Sequence, residues 1–222
     1  MSALISPAKP ANLSRVIEGN QPDVLADIFQ EDANIVIWQR PSKNMQATAA
    51  SAVLLAKPTL QISVVVTPQN AEEAINKALG STPFAAILSK DIAQLVDMFC
   101  CLFDLKHAGL RLTALDRAMC PRFHVDRVPC RLVTTYQGIA TEWLPHLAAD
   151  RSKLGAGNQG KTDEQSGLFK STDDIQQLHQ GDVALLKGEL WHENEGAGLI
   201  HRSPQLSNEA RRLLLTLDFI ND

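Results

Sequence analysis

The segment "RFHVDRVPCRLVTTYQG" (residues 122–138) sets an imidazole, His124, two positions before a carboxylate, Asp126. On extended backbone, side chains at i and i+2 leave the same face, so a ring nitrogen and a carboxylate oxygen can converge. Such a pair can occupy two adjacent positions of an octahedral metal ion. A second histidine from a distant strand then completes a two-histidine, one-carboxylate face with positions left open for substrate and oxygen. An H-x-D tripeptide is also common by chance. Its structural alternative is a polar turn in which Asp126 pairs with Arg122 or Arg127.

A second histidine is available in "GDVALLKGELWHENEGAGLIHRSPQLSNEARRLLLTLDF" (181–219). His201 stands where a strand gives way to a turn containing Pro204, and Arg211 follows ten residues later at the head of the last strand. His192, in "LWHENEG", competes as the distal histidine but lacks that offset to an arginine. Cys120 and Cys130 flank His124 and offer a different set, because thiolates favour zinc. Their spacing matches no standard finger, and packing as small hydrophobes is the alternative for both. Cys100 and Cys101 lie in an apolar, helix-like run and read as core. Trp143 and Trp191 flank turns, where they either line a pocket mouth or pack in the core.

These residues need a scaffold. "NIVIWQR" (34–40), ended by Pro41, and "LQISVVV" (60–66) read as strands. "QPDVLADIFQED" and "QATAASAVLLA" read as helices, as does "TPQNAEEAINKALG", with Thr67 as cap, Pro68 at the first position and Gly80 at the end. "PFAAILSKDIAQLVDMFCCLFDLKHAG" has helical periodicity and stops at Gly109, as one helix or two, which makes His107 a C-terminal helix residue. After it come short strand-like runs: "LRLTALDRA", "CRLVTTYQG", "DVALLKG" and "RRLLLTLDF". The polar, Gly-rich stretch 150–167 reads as a long loop, mobile or acting as a lid.

The motifs together resemble the iron(II)- and 2-oxoglutarate-dependent dioxygenases, and their prolyl-hydroxylase-like branch in particular, across about residues 110–220. That family's order is H-x-D, a strand, a long insertion, a distal histidine and then a basic residue for the far carboxylate of 2-oxoglutarate. "RLVTTYQGIATEWL" and "GDVALLKG" are similar to its intervening strands. The resemblance implies that His124, Asp126 and His201 hold iron as the catalytic centre and that Arg211 binds the C5 carboxylate of 2-oxoglutarate. Arginine suits that task because its planar fork pairs with a carboxylate through two hydrogen bonds. Arg212 lies on the opposite strand face, which it shares with Thr216 and Asp218, so either arginine can be the inward one. Tyr136, the only tyrosine, is read as a donor to the bound oxo acid or as a core residue with its hydroxyl tied to backbone. The whole chain, with "WQR", "FHVD", "TTYQG", "HRSP" and "RLLLTLDF", also looks like a bacterial family of unknown function, DUF1826.

The implied fold is α+β: one domain over 1–222, with 1–109 as mostly helical support carrying two strands. Residues 110–222 then form a double-stranded β-helix (jelly-roll) core. The expected activity is oxygenation of a small-molecule or peptide substrate with iron(II) and 2-oxoglutarate. The alternatives are a non-catalytic zinc-binding or metal-handling protein, and a jelly-roll binding module without activity. The 222 residues are 45% hydrophobic and 21% charged, enough to bury a core. The net charge of −4 argues against nucleic acid as the main partner. No apolar run spans a bilayer, no signal peptide is evident, and the cysteines form no disulfide framework, so a reducing cytoplasm is expected. P-loop, nucleophile-elbow and dinucleotide-binding motifs are absent.

Overall fold

The computed structural model describes residues 15–40, 44–208 and 210–220. Its strands, numbered in chain order, form two sheets. The larger contains β1 (Arg15–Gly19), β2 (Ala33–Trp38), β3 (Gln61–Val66), β4 (Ala108–Leu115), β5 (Cys130–Gln137), β8 (Val183–Lys187) and β10 (Arg212–Asp218). Their order is β1-β2-β8-β5-β10-β4-β3, antiparallel throughout except for β1 against β2. The smaller sheet has β6 (Glu142–Leu144) between β7 (Gln176–Gln177) and β9 (Ile200–Arg202).

Three helices cover one face of the large sheet: α1 (Asn44–Ala56), α2 (Ala71–Leu79) and α3 (Pro83–Leu102). Leu88, Ile92 and Leu95 of α3 share a core with Leu132 of β5 and with Leu213, Leu215 and Leu217 of β10. The small sheet covers part of the opposite face, where Trp143 packs on Ile35, Ile37, Val133 and Leu186. Strand alternation therefore separates two functions. On β10 the odd-numbered leucines meet the helices, while Arg212, Leu214 and Thr216 line a pocket on the other side. On β5, Cys130, Leu132 and Tyr136 meet the helices, while Arg131 and Val133 line the pocket.

Several local expectations change. The first-half strands join the same sheet as the later ones, so the layers do not divide at residue 109. "QPDVLADIF" winds as a 3-10 helix over Pro22–Phe29. Thr67 does not cap α2: it opens a turn in which its N–H donates to Asn70 Oδ1 at 2.8 Å, and the helix begins at Ala71. Gly80 ends that helix with φ 98°, a left-handed conformation open to glycine at no steric cost. α3 is a single helix, capped by Thr82 Oγ1 on Ala85 N–H at 3.1 Å. It stops at Leu102, and "HAG" leads into β4, where Ala108 pairs with Val66. Pro41 lies outside the described residues.

The stretch 150–167 contributes no residue to the lining of the pocket. It folds into 3-10 turns at Arg151–Lys153 and Gly155–Asn158 and a short helix, α4 (Asp163–Ser166). The carboxylate of Asp163, a buried residue, accepts from Phe123 N–H at 2.8 Å and pairs with Arg122 at 3.0 Å, which fastens the stretch down. No helix among the described residues is long and apolar enough to cross a membrane.

Tyr136 is turned away from the pocket. Its hydroxyl donates to Asp91 Oδ2 on α3 at 2.6 Å, and the same carboxylate takes Arg40 Nη1 at 2.8 and 2.9 Å. Its alternative as a core residue holds, with a side-chain partner in place of backbone. Hydrogen bonds to charged groups contribute about 1.5–3 kcal/mol. Tyr136→Phe is therefore expected to lower unfolding free energy by about 2 kcal/mol in denaturant titration, with metal binding unchanged.

Candidate metal centre

His124 and His201, 77 positions apart, form a two-way backbone bridge: each N–H donates to the other's carbonyl at 3.0 Å. Directly opposed residues of this kind project to one side. Their ring centroids lie 4.6 Å apart. Asp126, two positions on, joins them, so that one ligand atom from each of the three residues lies within 4.8 Å of the others.

Backbone carbonyls orient both rings. His124 Nδ1 lies 2.9 Å from Arg122 O and His201 Nδ1 lies 3.2 Å from Leu199 O. A carbonyl can only accept, so each Nδ1 carries a proton; in a neutral ring Nε2 keeps its lone pair, and in a protonated ring Nε2–H donates to Asp126. The two Nε2 atoms face Asp126, at 3.6 Å from Oδ1 and 3.3 Å from Oδ2. With both rings neutral, three acceptors converge, and carbonyl contacts at the far nitrogen are the usual means of orienting metal-bound imidazoles. Burial by itself raises the Asp126 carboxyl pKa. Hydrogen bonds from His124 and His201 and the charge of Arg131 outweigh that and hold it well below the usual carboxylate range. His124 is raised, first by its hydrogen bond to Asp126, against the opposing effect of burial.

The family model for "Protein of unknown function (DUF1826)" matches residues 19–218. The chain belongs to this family. No curated protein matches it in sequence. Among solved structures, it is similar to the rice dioxygenase for auxin oxidation, at 13% identity and TM-score 0.52 over 92% of this chain and 82% of that one. It is also similar to a full-length Neurospora crassa protein solved in complex with alpha-KG and 5-formyluracil, at 9% identity and TM-score 0.50 over 95% and 85% of the two chains. At these identities the likeness is one of fold.

The pocket of this DUF1826 member adjoins the three ligand atoms and is lined by His124, His201, Arg212, Thr141 and Ser203, among others. Arg212 is 1% exposed. Its guanidinium donates to Thr135 Oγ1 at 3.0 Å, Thr141 Oγ1 at 2.7 Å and Ser203 Oγ at 2.9 Å. Among the described residues its hydrogen bonds go only to hydroxyls, none to a carboxylate. Burial pushes its pKa down to about 10, partly offset by the charge of Glu142. Glu142 is itself engaged by Arg202 at 2.6 Å. A buried cation without an ion partner is costly, and an anion entering the pocket relieves it.

Arg211, the residue chosen by its ten-residue spacing, points away from the pocket: its side chain is exposed and donates to Ala210 O at 3.2 Å. The β10 alternation that sends Leu213, Leu215 and Leu217 to the helices sends Arg212 into the pocket. On β5 the same alternation puts Tyr136 on the helix side and Thr135 against Arg212. Cys130 is fully buried on the helix side, with its thiol pushed up by burial. Cys120 lines the pocket but does not join the three-residue group, and His192 is exposed, so no zinc set of cysteines assembles among the described residues. Trp143 packs between the sheets, and Trp191 packs tilted against Phe29 at 5.6 Å between ring centroids, on the helix side of the large sheet.

Thr135, Thr141, Ser203 and Arg131, which meet at the site, carry no motif spacing of their own. The signal for two of them was present: Arg131 and Thr135 are polar residues of one parity on a strand otherwise built to be buried. Glu189 N–H donates to Asp126 O at 2.9 Å, drawing the Asp126 segment across the end of β8. A Cβ at Gly188 would meet the carbonyl oxygens of Val128 and Asp126. Gly188→Ala is expected to cost about 1–3 kcal/mol in overpacking. It should also weaken metal binding, as read by dialysis against a metal buffer beside thermal unfolding.

Proposed function

We propose that this protein is a non-haem iron(II)- and 2-oxoglutarate-dependent oxygenase that hydroxylates a small-molecule or peptide substrate. The observation that carries this reading is that His124 and His201, which form a donor set with Asp126, line one pocket with Arg212, a buried guanidinium served only by hydroxyls. Two imidazoles and a carboxylate, with no thiolate, suit iron(II) better than structural zinc. These three residues would hold the metal, with the rest of its coordination left to an oxo acid and oxygen. The likeness of fold to the rice dioxygenase, and to the Neurospora crassa protein solved with alpha-KG, supports the reading.

Bound iron(II), with 2-oxoglutarate as co-substrate, supplies the activation of dioxygen. The chain's own residues do the rest. His124 and His201 present Nε2, and Asp126 adds the negative charge. Arg212 receives the far carboxylate of 2-oxoglutarate, with Thr141 and Ser203 fixing the plane of its fork. Leu214 and Val133 give the pocket apolar wall between these polar ends, which limits water around the reacting groups.

The test is anaerobic purification, metal analysis and calorimetric titration with 2-oxoglutarate, with and without iron(II). The expected result is one iron(II) per chain, 2-oxoglutarate binding that depends on it, and slow succinate release in air. Tightly held zinc with no binding of 2-oxoglutarate would overturn the reading.

A further inference from the structure

Asp126 sits on irregular backbone. Between β4 and β5 only His124 is fixed by a strand-like bridge, so the direction of the Asp126 carboxylate needs another anchor. Arg131, the second residue of β5, supplies it by donating Nη1 to Asp126 Oδ2 at 2.6 Å. Two further donors of the same guanidinium go to Asp218, the last residue of β10, through Nε to Oδ1 at 2.6 Å and Nη2 to Oδ2 at 3.1 Å. Asp218 is buried, and Arg111 reaches it from the solvent side at 3.3 Å.

Resting on the iron-site reading above, we infer that Arg131 and Asp218 are a positioning pair that aims Asp126 at the metal and balances the charge behind it. Three features carry this. One guanidinium spans two carboxylates with three nitrogens, a geometry that a lysine ammonium cannot reproduce. Arg131 engages Oδ2, which leaves Oδ1, on the His124 side, without a guanidinium donor. And a lone cation 2.6 Å from a metal-binding carboxylate repels the incoming ion, which the negative charge of Asp218 offsets. The strand that carries Arg212 at its first residue carries Asp218 at its last, so β10 sets both the anion-binding end and the carboxylate end of the site.

Cobalt(II) serves as the probe, because its visible absorption reports coordination without turnover. Affinity is measured for the wild type, Asp218→Asn and Arg131→Lys, together with the melting temperature of each metal-free protein. Loss of an outer partner typically costs 10–100-fold in metal affinity, and both variants are expected to fall in about that range with an altered cobalt spectrum. Asp218→Asn lowers affinity by releasing the guanidinium; Arg131→Lys does so although it keeps the charge and should fold. A lower melting temperature with wild-type cobalt affinity and spectrum would make the pair purely structural and overturn the inference. So would full affinity in Arg131→Lys. Failure of the wild type to bind cobalt(II) or iron(II) would instead overturn the iron-site reading itself.

Discussion

Arg212→Met is expected to weaken 2-oxoglutarate binding by at least about a hundredfold, while Arg211→Met leaves it unchanged. Removing one side of a buried, hydrogen-bonded charge pair costs about 2–5 kcal/mol, or roughly thirtyfold to several thousandfold. Arg212 belongs in the upper part of that range, because it is 1% exposed and its hydroxyl neighbours cannot replace the charge. The same substitution has an unusual second consequence. In the cofactor-free protein the guanidinium is buried without an ion partner among the described residues, and burial already pushes its pKa down to about 10. An apolar side chain of similar length removes that desolvation cost. Arg212→Met should therefore leave the cofactor-free protein as stable as the wild type or more so. Calorimetry with 2-oxoglutarate and a thermal scan of the same sample read the two effects together. Tight 2-oxoglutarate binding by Arg212→Met would place the carboxylate site elsewhere.

Asp126→Ala is expected to abolish retention of iron(II) through dialysis. It should lower affinity beyond the roughly 10–100-fold that loss of an outer partner costs. Two effects act in one direction. The substitution removes the only carboxylate of the three-donor set. It also frees the Arg131 Nη1 that Asp126 had engaged at 2.6 Å, leaving an unbalanced positive charge beside the two imidazoles. Metal content by elemental analysis, with titration of the reloaded protein, measures this. Cys120→Ser is the companion variant. Cys120 lies at the pocket without joining the donor group, so full metal content is expected. Loss of metal on that substitution would instead favour a thiolate-bound zinc.

Much of the site was legible because it depends on short-range geometry. The i, i+2 spacing of His124 and Asp126 marks them as a pair, although only His124 lies in a strand-like bridge. The alternation of β10 groups Arg212 with Thr216 and Asp218 whatever surrounds the strand. Gly80 ended α2 because a left-handed residue stops a helix locally. Boundaries that depend on partners were less legible. "HAG" continues a helical pattern, but pairing of Ala108 with Val66 draws it into β4. Thr67 and Pro68 make a plausible helix start, but Asn70 bonds back to Thr67 and closes a turn first.

The sequence by itself determined the residue types of the centre, the H-x-D spacing, the family and the pairing of faces along each strand. Tertiary structure alone decided which face is the inner one. Arg211 and Arg212 differ by one residue, and β10 is mostly buried on both sides, so its pattern does not mark the face that meets the helices. Packing of Leu213, Leu215 and Leu217 against the helical layer settles it in favour of Arg212, as the same layer turns Tyr136 toward Asp91. The meeting of His124 with His201 is likewise a backbone pairing across 77 positions. No local propensity encodes that contact; it exists only once the two sheets have come together around the pocket.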